Sequence, residues 1–387
     1  MPFPTRNLSV VLPTVVVAQL LCTSMWFAGN SVVGALADEY GLGHDILASL
    51  TSSVQVGFIA GTLVYALLGI ADRFPPSKVF MVSALLGSIA NAAVTWGIQG
   101  EGTLMASRFT TGFFLAGIYP VGMKIVSDYF ELGLGKALGW LVGALVMGTA
   151  LPHLIRAYDA TLSWRLVFWF TSALTVVGAL AVGLGVAPGP HRKPAPRMDM
   201  GASLKVFRNK AFRIAAFGYF GHMWELYTFW AFLPTLLTMK HPGSPTAWPT
   251  FVVIASGAIG CITGGLLARK AGSEKVAYGA LIVSGLCCLA AGWLLSVHIP
   301  DRVWYLFLVL WGLTVVADSP QFSALVAQTA PPERKGTALT VTTCIGFSIT
   351  IGSIYCMQYV ISLLPQSTVF MLLAIGPALA LANRFAR

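Results

Sequence analysis

Ile-Ala-Asp-Arg at residues 70–73 is a short charged interruption in a chain that is otherwise strongly apolar. A related stretch, Leu-Ala-Arg-Lys at residues 267–270, follows about 197 residues later. A second pair of stretches repeats at almost the same distance, since Tyr119-Pro120 precedes Gly-Lys-Ala-Leu and Ser319-Pro320 precedes Gly-Thr-Ala-Leu. Two matches in register predict that the chain consists of two related halves.

The composition excludes an ordinary soluble protein. Of the 387 residues, 56% are hydrophobic and 10% are charged, whereas about 25% of the residues in a typical soluble domain are charged. So few charges cannot cover a water-facing surface, and a lipid bilayer is the expected surrounding. The net charge of +10 does not indicate a nucleic-acid partner, because the basic residues form no continuous face. The six cysteines lie in apolar runs, which predicts small buried side chains.

Runs of about 20 apolar residues are long enough to cross the hydrocarbon core of a bilayer as helices. The sequence contains twelve candidate runs, and they predict an all-α membrane protein. The predicted spans are roughly 9–36, 47–70, 79–99, 103–127, 136–157, 163–187, 211–238, 248–268, 276–297, 302–326, 336–360 and 366–384.

A proline-rich basic linker at residues 188–210 divides these spans six and six. It separates an N-terminal bundle at 1–187 from a C-terminal bundle at 211–387. With twelve spans, both termini lie on one side, and that side carries 18 of the 24 Lys and Arg residues. The positive-inside rule therefore predicts cytoplasmic termini in the inner membrane.

The first charged stretch resembles a motif of the major facilitator superfamily, Gly-x-Leu-Ala-Asp-Arg-x-Gly-Arg-Arg/Lys, found between the second and third helices. The chain keeps Ala71, Asp72 and Arg73, but it has Leu68 for the first glycine and Pro75-Pro76 for Gly-Arg. A degenerate copy lies at residues 265–272, where arginine takes the acidic place, and residues 332–336 resemble the turn common after the tenth helix of the family.

The resemblance implies twelve transmembrane helices in two pseudo-symmetric six-helix bundles that work by alternating access. It also implies that helices one, four, seven and ten line a central cavity, and that helices two, five, eight and eleven join the halves.

Glycine pairs at positions 57 and 61, 139 and 143, and 260 and 264 lie in spans two, five and eight. Their spacing lets helix backbones meet, so the resemblance assigns them to contacts between halves. We expect a monomer.

The same resemblance gives three residues a gating role: Asp72, Arg73 and Arg269. Asp72 is the expected latch, with a helix N-terminus or an arginine as its partner, since a carboxylate gains stabilisation beside a positive helix end. The alternative is an ordinary loop carboxylate.

Only three charged residues lie well inside predicted spans: Lys124, Glu225 and Asp318. Charge in the hydrocarbon region is costly, so each is a candidate functional group. They fall in three of the four expected cavity helices, which favours one shared site. Two alternatives remain for Lys124: it forms an ion pair with Asp318 or Glu225, or it extends to the interface near Asp128.

The seventh span holds the densest polar and aromatic cluster of the chain. His222 and Glu225 share one helix face, and histidine titrates near neutral pH. We therefore expect His222, Glu225 and Asp318 to couple proton movement to solute movement. The alternative is a histidine bonded to its neighbour in a packed helix. Amide and aromatic groups suit a small polar organic solute, and the predicted substrate-binding residues are Trp26, Asn30, Tyr119, Lys124, His222, Tyr227, Trp230, Asp318 and Gln321.

Arg108 begins a stretch that resembles the arginine-x-x-glutamine-glycine motif of the family, with threonine in place of glutamine. The resemblance implies that Arg108 takes part in proton coupling, and an anchor at the outer interface is the alternative.

The expected function is secondary active transport of a small polar organic solute, coupled to protons by symport or antiport. A multidrug or metabolite exporter with proton antiport is the alternative within the fold, and a sensor is a further one. No constellation indicates an enzyme, a cofactor or a metal site.

Overall fold

The computed structural model describes residues 7–43, 46–97, 100–130, 134–159, 162–192, 204–331 and 334–386. Contacts divide the chain into two compact units, Met1–Met198 and Asp199–Arg387. The boundary falls in the predicted linker, of which residues 193–203 lie outside the described part. Residues 332 and 333 of the predicted turn after the tenth span also lie outside it.

The first unit is built from helices throughout its described part. They are α1 (Leu8–Thr23), α2 (Val33–Tyr40), α3 (Ile46–Leu68), α4 (Ile70–Arg73), α5 (Pro76–Ala93), α6 (Glu101–Leu115), α7 (Tyr119–Ser127), α8 (Leu134–Tyr158) and α9 (Trp164–Gly185). A short 3-10 helix, Asn30–Val32, precedes α2.

The second unit has the same character. Its helices are α10 (Lys210–Lys240), α11 (Ala247–Ala271), α12 (Ser273–Ser296), α13 (Asp301–Ala317), α14 (Ser319–Thr329), α15 (Lys335–Val360), α16 (Gln366–Val369) and α17 (Ile375–Phe385). Two 3-10 helices, Leu204–Arg208 and Phe370–Ala374, complete the described elements of this unit.

Each of the twelve predicted spans contains helix in the described residues. Nine helical segments of this part of the chain are long and apolar enough to cross a membrane. The three other predicted spans correspond to α1, which has 16 residues, to α5 and to α10. The chain is therefore a multi-pass helical membrane protein, and the number twelve stays a prediction.

Large apolar side chains point away from both units. Trp96, Trp293, Leu306 and Leu379 are all more than half exposed. A water-soluble protein does not leave so much apolar surface uncovered. These faces fit a surface that lipid covers.

Glycines bring two helices of each unit into backbone contact. A Cβ atom at Gly57 of α3 would overlap the carbonyl oxygen of Phe109 in α6, and one at Gly260 of α11 would overlap that of Leu313 in α13. The expectation that these two glycines serve contacts between the halves is wrong, because a neighbouring helix of the same unit occupies the space beside each. The equivalent packing in both units agrees with the sequence repeat.

Four predicted spans are interrupted within the described residues, and the twelfth span is interrupted by the 3-10 helix Phe370–Ala374. Beyond α1 the backbone forms turns over residues 24–29 before the 3-10 helix. The fourth span breaks between α6 and α7, and the tenth breaks at Asp318 between α13 and α14. Pro120 and Pro320 lie in the first turns of α7 and α14, where a missing N–H costs little. Irregular backbone at membrane depth is tolerated where it is buried in protein or lines a cavity.

Candidate functional site

A histidine and an aspartate meet inside the second unit. His222 Nδ1 in α10 lies 2.8 Å from Asp318 Oδ1, and both side chains are almost completely buried. Asp318 stands in the break between α13 and α14, so its position depends on the irregular backbone there. His222 Nε2 has no hydrogen-bond partner within the described residues. The pair thus places an imidazole and a carboxylate side by side inside the unit.

Glu225 lies one turn further along α10 and contacts other partners. Its carboxylate accepts hydrogen bonds from Trp311 Nε1 at 2.7 Å and from Ser284 Oγ at 2.9 Å. The Cys288 thiol lies 3.3 Å away as a third donor. Phe229 stacks on the ring of Trp311, with centroids 4.2 Å apart. Glu225 thereby joins α10 to α12 and α13.

These contacts separate two residues that helical spacing had grouped. His222 pairs with an acid across the unit and not with Glu225, its neighbour along the helix, so the alternative of a local bond within the helix is wrong. Ser284, Trp311 and Cys288 are partners that the sequence does not predict. Cys288 is a small buried residue, as predicted, but its thiol also contacts a carboxylate. A polar side chain next to apolar neighbours gives no signal of what it faces.

Lys124 forms its ion pair inside the first unit. Its Nζ lies 2.8 Å from Asp72 Oδ1, and both side chains are partly exposed. The ion pairs with Asp318 or Glu225 are therefore not the ones formed. The sequence predicts a helix N-terminus or an arginine as the partner of the Asp72 carboxylate. In the described residues that partner is Lys124 instead, because its long side chain extends from the last turn of α7 to Asp72 in α4.

The start of the linker is attached to the same loop. Arg192 Nη2 donates hydrogen bonds to the backbone carbonyls of Asp72 at 2.7 Å and Phe74 at 2.9 Å. The backbone N–H of His191 donates to the carbonyl of Asp128 at 3.0 Å. Burial raises the pKa of the Asp128 carboxyl group, and Lys124 and Arg192 oppose that shift.

The two other predicted gating residues, Arg73 and Arg269, are exposed at the ends of α4 and α11.

Arg108 is fully buried in the first unit. Its Nη2 donates hydrogen bonds to the carbonyls of Met25 at 2.8 Å and Trp26 at 3.0 Å, and its Nη1 donates to Asn91 Oδ1 at 2.8 Å. Those carbonyls lie just beyond the end of α1, where the helix dipole favours a cation. The alternative of an anchor at the outer interface is wrong, because the whole side chain is enclosed. Sequence analysis missed Asn91, whose Nδ2 also contacts Thr171 and Ser172 of α9.

Two of the predicted substrate-binding residues of the first unit face α3. The ring of Trp26 lies 4.9 Å from that of Phe58, and Asn30 Nδ2 donates a 2.7 Å hydrogen bond to Thr51 Oγ1. On the same helix, Gln55 is fully buried and neither atom of its amide has a hydrogen-bond partner in the described residues. Sequence analysis missed Gln55, although a single amide within an apolar 23-residue helix is a signal that could have found it.

The remaining predicted residues lie along broken or aromatic helices. Tyr119 is the first residue of α7 and is half-buried, and Gln321 is buried in α14. Tyr227 and Trp230 are buried in α10 with ring centroids 5.3 Å apart, and Tyr227 also lies 5.3 Å from Phe347 of α15. Whether Lys124, Glu225 and Asp318 share one site stays a prediction.

Comparison with known proteins gives a family match and several relatives. Residues 15–355 match the family described as the Major Facilitator Superfamily. The niacin transporter NiaP of Acinetobacter baylyi is 36% identical over 117 residues, which cover 26% of this chain and 25% of that protein. The uncharacterized transporter YgaY of Escherichia coli O157:H7 is 26% identical over 191 residues, 47% of this chain and 46% of that protein. The matches thus span a quarter to about half the length of these relatives.

A solved structure resembles the fold over almost its whole length. The human organic anion transporter MFSD10 (TETRAN) superposes with a TM-score of 0.78 and 17% sequence identity. The superposition covers 97% of this chain and 99% of that one. At this identity the likeness describes the fold.

Proposed function

Because this chain belongs to the Major Facilitator Superfamily, we propose that it is a secondary active transporter that moves a small polar organic solute by alternating access, coupled to protons. The observation that carries the coupling is the buried His222–Asp318 pair at the break between α13 and α14. A buried charge is costly unless it is paired. Protonation of either member changes that pairing directly.

The pair is better suited to proton exchange than the two other predicted coupling residues. Glu225 is occupied by three donors from α12 and α13, and we propose that it positions α10 beside the pair. Arg108 is an arginine, which keeps its proton in proteins, and its donors hold the backbone beyond α1. We assign the exchange of the proton to His222 and Asp318.

The solute is proposed to be a small polar aromatic compound. Niacin, the compound in the name of one relative, belongs to that class. The predicted binding residues of both units include aromatic rings and amides, which orient and stack on such solutes. We further propose twelve membrane crossings, cytoplasmic termini, a location in the inner membrane and a monomeric carrier. The excess of basic residues on the side of the termini supports this orientation.

Gating is proposed to involve the loop after α3. The Asp72–Lys124 ion pair ties this loop to the end of α7, and Arg192 ties the start of the linker to it. Arg73 and Arg269 are exposed at equivalent places of the two units. We propose that these charges change partners during the transport cycle.

The proposal is tested with the purified full chain in liposomes. Radiolabelled niacin and a panel of polar aromatic solutes are supplied with the outside acidic, with the inside acidic and without a pH gradient. We expect accumulation of at least one solute that depends on the gradient. Uptake driven by an acidic outside indicates symport, whereas uptake driven by an acidic inside indicates the antiport of the alternative exporter. Transport of these solutes that ignores the gradient would contradict proton coupling.

Asp318→Asn removes the acid of the proposed coupling pair and is measured in the same transport assay. Asp301→Asn is its matched control. Asp301 also lies near a histidine of the same unit, with 3.5 Å between its Oδ1 and His241 Nε2, but its side chain is largely exposed. A general effect of removing an aspartate beside a histidine would appear in both variants. We expect dependence on the gradient to be lost only in Asp318→Asn.

A further inference from the structure

The backbone beyond α1 is irregular and buried. Residues 22–30 are all buried, although residues 24–29 form turns rather than helix. Arg108 satisfies two carbonyls of this segment. The segment therefore presents a fixed, non-helical surface inside the first unit, held in place by a side chain from α6.

One face of α3 meets this segment. Thr51 accepts a hydrogen bond from Asn30, and Phe58 lies against the ring of Trp26. Gln55 is four residues after Thr51 and three before Phe58, so helical spacing places all three on one face. Gly57 packs on the opposite side, against α6. Gln55 is thus placed between a polar contact and an aromatic contact with the segment.

The amide of Gln55 is the unexplained feature of this face. The residue is fully buried, and neither its Oε1 nor its Nε2 has a hydrogen-bond partner in the described part of the chain. Asn30, which bonds Thr51 one helical turn before Gln55, also has a buried Oδ1 without a partner there. Buried amides are nearly always hydrogen-bonded because an unsatisfied one is costly. One donor and two acceptors at this place thus have no hydrogen-bond partner in the described residues.

We infer that Gln55 is a substrate-binding residue whose amide hydrogen-bonds the donor–acceptor edge of a planar heteroaromatic solute beside Trp26 and Phe58. A primary amide presents a donor and an acceptor side by side. Its complement is an acceptor next to a donor, such as the carboxamide of a pyridine carboxamide or the C=O and N–H edge of uracil. This inference rests on the proposed function and names the group that selects the solute class. It also gives span two a role beyond helix packing.

Binding is measured by calorimetry on the full-length protein in detergent, without a pH gradient. The probes are pyridine-3-carboxamide and uracil, with cyclohexanecarboxamide as the saturated comparison. We expect the wild type to prefer the two aromatic probes. Gln55→Met keeps the length of the side chain and removes the amide, and it should weaken aromatic binding by about tenfold or more. The saturated probe carries the same carboxamide edge, so its weaker binding should fall by a similar factor.

Ser53→Ala is the matched control. Ser53 lies on the same helix, and its hydroxyl is bonded to the Ser49 carbonyl and to the Met105 sulfur. We expect its affinities to equal those of the wild type. Gln55→Asn keeps the amide but shortens the side chain by one methylene group, so it should lose less affinity than Gln55→Met. It also provides a second variant if Gln55→Met does not fold.

Two results would overturn the inference: Gln55→Met or Gln55→Asn with unchanged affinity and selectivity, or a wild type that does not prefer the aromatic probes. Failure of the proposed function is distinct from either. In that case gradient-driven uptake is absent, whereas the binding measurement, which needs no transport, still reports on Gln55.

Discussion

The fourth and tenth spans break at equivalent places, but the two breaks differ in chemistry. In the first unit the residue before Tyr119-Pro120 is Ile118, which is apolar and fully buried. In the second unit the residue before Ser319-Pro320 is Asp318, which faces His222. The repeated scaffold thus supplies an irregular backbone twice, and only the second copy combines it with a titratable pair.

Arg108, the buried charged residue of the first unit described above, has a structural role instead. Arg108 keeps its proton and holds the backbone beyond α1 by hydrogen bonds. We propose that the first unit fixes part of the surface that binds the solute, whereas the second unit also responds to protons. Variants that affect one unit and spare the other can test this division.

Arg108→Met should cause the largest loss of stability. It leaves the carbonyls of Met25 and Trp26 and the amide oxygen of Asn91 without their buried donor, which costs about 3 kcal/mol or more in the free energy of unfolding. Thermal and denaturant unfolding in detergent measure the change. Arg165→Met is the control, because Arg165 pairs with Glu39 on an exposed surface and should lose far less. Equal losses would refute the structural role of Arg108.

Glu225→Gln should lower the free energy of unfolding by an intermediate amount. The amide can accept only at one oxygen, so some of the donors from Ser284, Cys288 and Trp311 lose their partner, at a cost of about 1–2 kcal/mol. Transport should be slower but should keep its dependence on pH. The control is Glu274→Gln, since Glu274 is exposed and pairs with Arg384. Complete loss of the pH dependence in Glu225→Gln would place the exchangeable proton on Glu225 instead.

The Asp72–Lys124 pair should contribute least to stability. Both side chains are partly exposed, and pairs of this kind contribute up to about 1 kcal/mol. A double-mutant cycle with Asp72→Asn and Lys124→Met measures the coupling free energy from unfolding. We expect a small value together with a clear change in transport rate. A value of several kcal/mol would mark the pair as part of the core and not as a gate.

The sequence predicted the architecture because apolar length and repeated motifs are local properties. Each of the twelve predicted spans contains helix, and the chain divides into two units. The break after α1 had no such signal, since Pro13 lies in the middle of α1 and no proline occurs at residues 24–29. Arg108, whose guanidinium bonds two carbonyls of that break, is more than 80 residues away in the chain.

Partners of polar groups were harder to predict than the groups themselves. Glu225 and Asp318 were found because charge is rare in apolar spans. Their neighbours depend on how each helix is turned about its axis, which small differences in packing decide. Thus Lys124 pairs with Asp72 rather than with an acid of the second unit, and Gln55 was overlooked because a single amide resembles a tolerated polar residue in a packed helix.

The most direct test of the division between the units is solute-induced proton movement. A pH-sensitive dye inside liposomes that contain the purified protein reports proton flux when a transported solute is added outside. We expect a rapid pH change in the wild type and in Asp301→Asn, and a change reduced by about tenfold or more in Asp318→Asn. An undiminished proton flux in Asp318→Asn would contradict the assignment of coupling to the His222–Asp318 pair.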